Sequence, residues 1–134
     1  MKMEYRYEPL REGGTFKLDA TTKSAIAATP TDIIGKVVAL TGTKEPTVGY
    51  GTSGNPVFGV VTAVEKESRG SDDFVVTVEY SRCVEDVPAT TNDTAPVVGD
   101  GIAVNGAGSV IKAEAVMSGV CLSVDNGLCK IRLF

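Results

Sequence analysis

Apolar and polar residues alternate along much of this chain with the two-residue period of strands. Residues 74–80 set Phe74, Val76, Val78 and Tyr80 against Val75, Thr77 and Glu79, which predicts a strand. Residues 15–18, 36–41 and 57–65 predict three more. The run from residue 74 continues through residues 81–87 and stops at Pro88. Further strands are expected at 101–105, 110–112, 119–125 and 128–134, with a polar hairpin loop at 67–73. Helix signal is confined to residues 21–28 and to one turn at 113–117. Many short strands with glycine-rich turns predict an all-β fold, a small barrel or sandwich.

The last hairpin can be read in detail. Asn126-Gly127 is a strong type I′ turn signal. A two-residue turn there pairs Val124 with Cys129, Leu122 with Ile131 and Val120 with Leu133. One face then holds Val120, Leu122, Val124, Cys129, Ile131 and Leu133, and is expected to be buried. The other holds Cys121, Ser123, Lys130 and Arg132. Cys129 is expected inside and Cys121 outside, which argues against a disulfide between them.

The pattern also repeats. Gly35-Lys36-Val37-Val38-Ala39-Leu40 aligns with Gly99-Asp100-Gly101-Ile102-Ala103-Val104. Gly59-Val60-Val61-Thr62-Ala63-Val64-Glu65 aligns with Gly119-Val120-Cys121-Leu122-Ser123-Val124-Asp125. The order is kept, which predicts a barrel built from a duplicated strand unit, with units at about 35–87 and 97–134. Residues 88–96 (PATTNDTAP) read as the linker between them. The barrel domain is expected to span residues 15–134.

Residues 1–14 read as an extended N-terminal arm. Met1, Met3, Tyr5 and Tyr7 alternate with Lys2, Glu4, Arg6 and Glu8, Pro9 ends the pattern, and Gly13-Gly14 reads as a loose joint. Tyrosine and arginine are favoured at interfaces. Met3, Tyr5, Arg6, Tyr7, Pro9 and Leu10 are therefore the candidate partner-binding residues. The arm can add as a strand to a partner's sheet edge, or pair within its own barrel.

Composition narrows the function. A chain of 134 residues is one domain by length and can bury about 68% of its unfolded surface. The net charge of −4, without a Lys/Arg run, argues against nucleic acid as a partner. No apolar stretch approaches the about 20 residues of a membrane span. The first residues lack the apolar core of a signal peptide, so synthesis and residence in a cytoplasm are expected.

Catalytic patterns fail on inspection, and a non-enzymatic protein is expected. Histidine is absent, which removes His-based triads, and the three cysteines lack metal-ligand spacing. No metal or cofactor is expected. Gly49-Tyr50-Gly51-Thr52-Ser53-Gly54 matches a phosphate-loop pattern, but Asn55-Pro56-Val57-Phe58 leads on to a strand rather than a helix, so a turn is expected. Glu85 and Asp86 are adjacent on a strand and point to opposite faces.

The stretches Gly99 to Val104, Gly119 to Val124 and Cys129-Lys130-Ile131-Arg132-Leu133, with their counterparts at Gly35 and Gly59, resemble the small tailed-phage capsid decoration (cement) proteins. The resemblance covers residues 35–134. It implies a β-barrel on the outer surface of a virion, bound to the major capsid protein and made in the host cytoplasm. It also implies a homo-oligomer, with a trimer favoured, an arm lying along the shell, and no catalytic residues. Two departures stand out. Gly35-Lys36 lacks the acid of Gly99-Asp100, and residues 81–96 have no place in the family pattern. The alternative is a non-catalytic barrel acting as an adaptor or ligand-binding module in a larger assembly.

Overall fold

The computed structural model describes residues 13–42, 45–68, 73–80, 83–114 and 118–134. Five strands form a closed barrel in the order β1-β3-β2-β4-β5. They are β1 (Gly13–Leu18), β2 (Val37–Leu40), β3 (Thr47–Gly49), β4 (Gly59–Lys66) and β5 (Phe74–Glu79). β1 pairs antiparallel with β5 and parallel with β3, which closes the ring.

Five further strands repeat this path: β6 (Cys83–Pro88), β7 (Ile102–Val104), β8 (Val110–Lys112), β9 (Gly119–Asp125) and β10 (Leu128–Leu133). They form one sheet of order β6-β10-β9 and a hairpin β7-β8. Single bridges Ala89↔Val110 and Gly101↔Val120 join the two, giving the ring β6-β8-β7-β9-β10. Each bridge has a counterpart in the first ring, where Leu18 pairs with Val48 and Val37 with Val60. Even the bulges match. The β4–β5 ladder steps over Thr62, and the β9–β10 ladder steps over Leu122, its aligned residue.

The expected all-β barrel with a duplicated unit is therefore the observed fold, and the repeat is larger than the aligned glycines and valines indicate. Each unit closes its own ring, over residues 13–80 and 83–134. β6, read from sequence as the end of the first unit, pairs with β10 and opens the second. It occupies the place that β1 has beside β5. Gly13 and Gly14 are not a loose joint: they pair with Glu79 and Val78 in β1. A side chain at Gly13 would come within 2.8 Å of the Val78 carbonyl oxygen, so the strand pair needs glycine there.

The register of the last hairpin corrects the sequence reading. Val124 does pair with Cys129 across the turn, where Asn126 and Gly127 hold φ of +50° and +76°. Beyond the bulge the register shifts, so that Ile131 pairs with Cys121 and Arg132 with Val120. Cys121 is therefore buried while Leu122 is exposed. Val124, on the turn side of the bulge and paired as expected, is exposed as well, against expectation. Cys129, Ile131 and Leu133 are buried as expected. The bulge inserts one residue on β9 and exchanges its faces; alternation alone cannot show it.

Two cores follow. Leu18, Val38, Val48, Val61, Val76 and Val78 fill the first ring. Ile102, Val110, Cys121, Cys129 and Ile131 are among those that fill the second. β2 is buried on both faces. Val38 points into the first core, while Val37 and Ala39 pack with Ile102 and Val104 in the second. β2 lies against its counterpart β7, so like strands meet at the seam.

The ends of the rings differ. After β1, helix α1 (Ala20–Ile26) and a 3-10 turn (Pro30–Ile33) cap the first ring, burying Ile26 and Ile33. The Asp19 side chain caps α1 by accepting from the Thr22 N–H at 2.8 Å. The helix expected over 21–28 is thus one residue earlier at its start. Residues 90–100 take this place in the second ring without a helix, and Val97, aligned with the fully buried Ile33, is 60% exposed.

Candidate partner-binding surface

The candidate residues Met3, Tyr5, Arg6, Tyr7, Pro9 and Leu10 lie outside the described residues. What the structure does place is the surface from which they lead. Gly14, in the first pair of residues of β1, stands beside the Phe16 and Tyr80 rings. Phe16 meets Phe58 edge-on with ring centroids 5.1 Å apart, and Phe58 lies 5.3 Å from Tyr80. All three rings are partly buried against the first core. Edge-to-face rings of this kind satisfy the opposite charges of ring face and ring edge.

Phe58 continues into an apolar groove of about 380 Å³ lined with Ala39, Leu40, Asn55, Pro56 and Val57. Leu40 is 52% exposed although its aligned residue, Val104, is fully buried. The Val57 N–H donates to Ser118 Oγ at 3.0 Å, and the Phe134 N–H donates to the Ser118 carbonyl. The groove thus lies at the seam of the two rings. Phe134 is 72% exposed.

The glycine-rich stretch 49–54 has a structural task at the same seam. No helix follows it, as the sequence pattern requires of a turn. Gly51 and Gly54 hold φ of +69° and +97°, and the Gly54 N–H donates to the Val104 carbonyl across the seam. Asn55 returns the bond, its carbonyl accepting from the Val104 N–H. A side chain at Gly51 would meet the Ala39 methyl at 3.0 Å.

A more polar cleft of about 300 Å³ opens beside α1, between Asp19, Thr22, Thr41, Tyr50 and Gly106. Some of its polar groups are engaged within the protein: the Tyr50 N–H donates to Thr22 Oγ1, and Asp19 caps the helix. Burial, then the nearby Asp32 carboxylate, raises the Tyr50 phenol above its usual pKa. Lys36 Nζ sits 5.7 Å from the centre of the Tyr50 ring.

Glu85 and Asp86, which sequence places on opposite strand faces, both stand exposed at a bulge of β6 where Asp86 has φ of +56°. Glu85 pairs with Lys130 at 3.5 Å. No group of His, Cys, Asp and Glu among the described residues is arranged to hold a metal ion. Cys121 and Cys129 face each other in the second core as free thiols. Burial, with the neighbouring Cys121 adding to it, pushes the Cys129 thiol up to about 12. A thiol so raised stays protonated and behaves as a small apolar side chain.

Sequence reasoning missed this groove because its residues come from β2 and from a loop that carries no motif. The sequence reading placed Val57 and Phe58 inside a strand over 57–65, whereas β4 begins at Gly59 and leaves both in the loop before it. No family model, curated protein or solved structure matches the chain.

Proposed function

We propose that this chain is a structural virion protein that decorates the outer surface of a capsid and stabilises contacts between major capsid subunits. The observation that carries this reading is the duplication. Two rings with the same strand order and the same bulge place matching backbone paths side by side on one chain. The exposed Ile34 of the first ring is matched by the exposed Val98 of the second. A repeating shell presents the same subunit surface many times, and a two-headed binder engages it with high effective concentration. Such a binder stabilises the assembled over the dissociated state by mass action.

The aromatic surface beside the start of β1 supports the arm as a contact with the shell. Homo-oligomeric decoration, with trimers at local threefold positions, is part of the proposal. The polar cleft at Asp19, Thr22 and Tyr50 favours the second reading, a non-catalytic adaptor or ligand-binding module.

The test is cosedimentation of the full chain with expanded shells and with unassembled major capsid protein. Saturable retention on shells alone is expected. Equal binding to free subunits, or no retention, would overturn the proposal.

A further inference from the structure

We propose that the end of the second ring at Val97 and Val124 is a docking site for a basic amphipathic helix of a partner protein, which caps this ring as α1 caps the first. The proposal rests on the capsid reading only for the partner's identity, the major capsid protein.

The duplication supplies the template. The Ile33 carbonyl accepts from the Lys36 N–H, and the aligned Val97 carbonyl from the Asp100 N–H, both at 3.0 Å. The backbone turn is the same, yet Ile33 is fully buried and Val97 is 60% exposed. This turn lies beside β9, where the Gly99 N–H donates to the Cys121 carbonyl. Further along the same strand pair, Val64 pairs with Val76 and packs against the first core, and the aligned Val124 pairs with Cys129. Residues directly opposite in an antiparallel pair share one face of the sheet. Val124 therefore lies on the inner face with the buried Cys129, but is 42% exposed. Chain length accounts for both valines. Residues 19–32 join Leu18 to Ile33 and include α1, seven residues long, whose Ile26 is buried in the first core. Residues 90–96 join Ala89 to Val97, so the second ring is short by the length of that helix.

Charge selects the occupant. Residues 89–100 and 121–129 carry Asp93, Asp100 and Asp125 and no lysine or arginine. Asp100 Oδ2 accepts from the Val97 N–H at 2.9 Å, which sets its charge beside the apolar turn. Lys130 pairs with Glu85, and Lys112, whose N–H reaches the Thr94 carbonyl, leaves the surroundings negative. On the first ring the cap itself brings the complement: Lys23 of α1 meets Asp73 at 3.0 Å, just before β5. A partner's helix with an apolar face and basic flanks satisfies the valines and the acids together. A second copy of this chain would instead bring two negative ends together, which opposes association.

The experiment titrates the isotope-labelled full chain, followed by its amide NMR signals, with an end-blocked synthetic peptide of isoleucine, alanine and lysine in amphipathic order, about three helical turns long. Saturable shifts at the amides of Val97, Val98 and Val124 are expected, and the same peptide with glutamate for lysine should leave them unmoved. Val97→Gln and, separately, Val124→Gln should each weaken docking about fivefold or more. Both side chains are exposed, so the variants keep the fold, and circular dichroism verifies it. Shifts centred on another surface, no shifts, or affinity unchanged in both variants would overturn the proposal. Sedimentation showing a dimer that both variants break would overturn it in favour of a second copy. Shell binding is read separately. Peptide docking here by a chain that binds no shell overturns the capsid reading alone, and shell binding by a chain that docks no peptide here overturns the docking site alone.

Discussion

Gly35 and Gly99 hold the same backbone at the same point of the two rings. Their φ angles are +88° and +92°, and each donates its N–H to a carbonyl of the aligned strand, Val61 in one ring and Cys121 in the other, at 2.7 and 2.8 Å. The next residues also agree: the Val61 N–H donates to the Lys36 carbonyl, and the Cys121 N–H to the Asp100 carbonyl. A left-handed residue turns the chain into β2 and β7, and only glycine adopts it without strain.

This relationship predicts paired costs. A side chain at either glycine would meet nothing within 4 Å, so the penalty is conformational alone. Gly35→Ala and Gly99→Ala should each lose about 1–2 kcal/mol in urea unfolding, and by like amounts. Gly108→Ala should lose more, because its methyl would come within 2.6 Å of the Lys36 side chain. A large cost at Gly35 with none at Gly99 would break the equivalence.

The bulge at Leu122 predicts that neighbouring residues tolerate charge very differently. Cys121 is fully buried and Leu122 is 38% exposed. Leu122→Asp should fold and change stability by about 0.5 kcal/mol or less. Cys121→Asp should fail to fold, since a buried unpaired carboxylate has no partner there. Ile131→Ala should cost about 2–5 kcal/mol through lost burial and a cavity. An unbulged hairpin would reverse the order of the two aspartate variants.

The buried thiols predict a falling stability at alkaline pH. Cys129 has a folded pKa of about 12 against 9.0 for a free thiol. Above pH 9 the unfolded chain loses a proton that the folded chain keeps, so unfolding becomes easier as pH rises from 9 to 12. The limiting slope is about 1.4 kcal/mol per pH unit for one thiol. Burial raises Cys121 as well, so it adds in the same direction. Urea midpoints between pH 8 and 11 should fall, and Cys129→Ala should flatten the decline. In the native state a thiol reagent should modify the half-buried Cys83 well before Cys121 and Cys129.

Much of the fold was legible because alternation and glycine spacing are local. Residues 119–125 and 110–112 became β9 and β8 with the boundaries expected, and Asn126-Gly127 became the expected turn. The strand β3 (Thr47–Gly49) was not legible: it runs into the glycine-rich stretch 49–54, which reads as a turn, and its parallel partner β1 is not its neighbour in the chain. The role of Gly13-Gly14 was misread for a related reason. Two glycines look flexible until a neighbouring carbonyl is seen 2.8 Å from where a side chain would stand. The surface at Leu40 and Phe58 was hidden because Leu40 ends an apolar run like that of its aligned residue Val104, which is buried. The arm residues Met3 to Leu10 lie outside the described residues, so the structure locates their point of attachment only.

Strand β1 separates two truncations. Removal of residues 1–12 stops short of Gly13 and should leave cooperative unfolding intact. Removal of residues 1–18 takes out β1, which pairs with both β3 and β5, and should unfold the first ring. Only the first truncation informs on binding, and it should sharply reduce occupancy on expanded shells. Undiminished occupancy would place the contact elsewhere on the rings.

The most direct measurement is electron cryo-microscopy of expanded shells saturated with the full chain. The account predicts density on the outer surface in which the two rings of one chain contact different major capsid subunits. Density confined to a single subunit, or shells that stay bare at saturating protein, would contradict it.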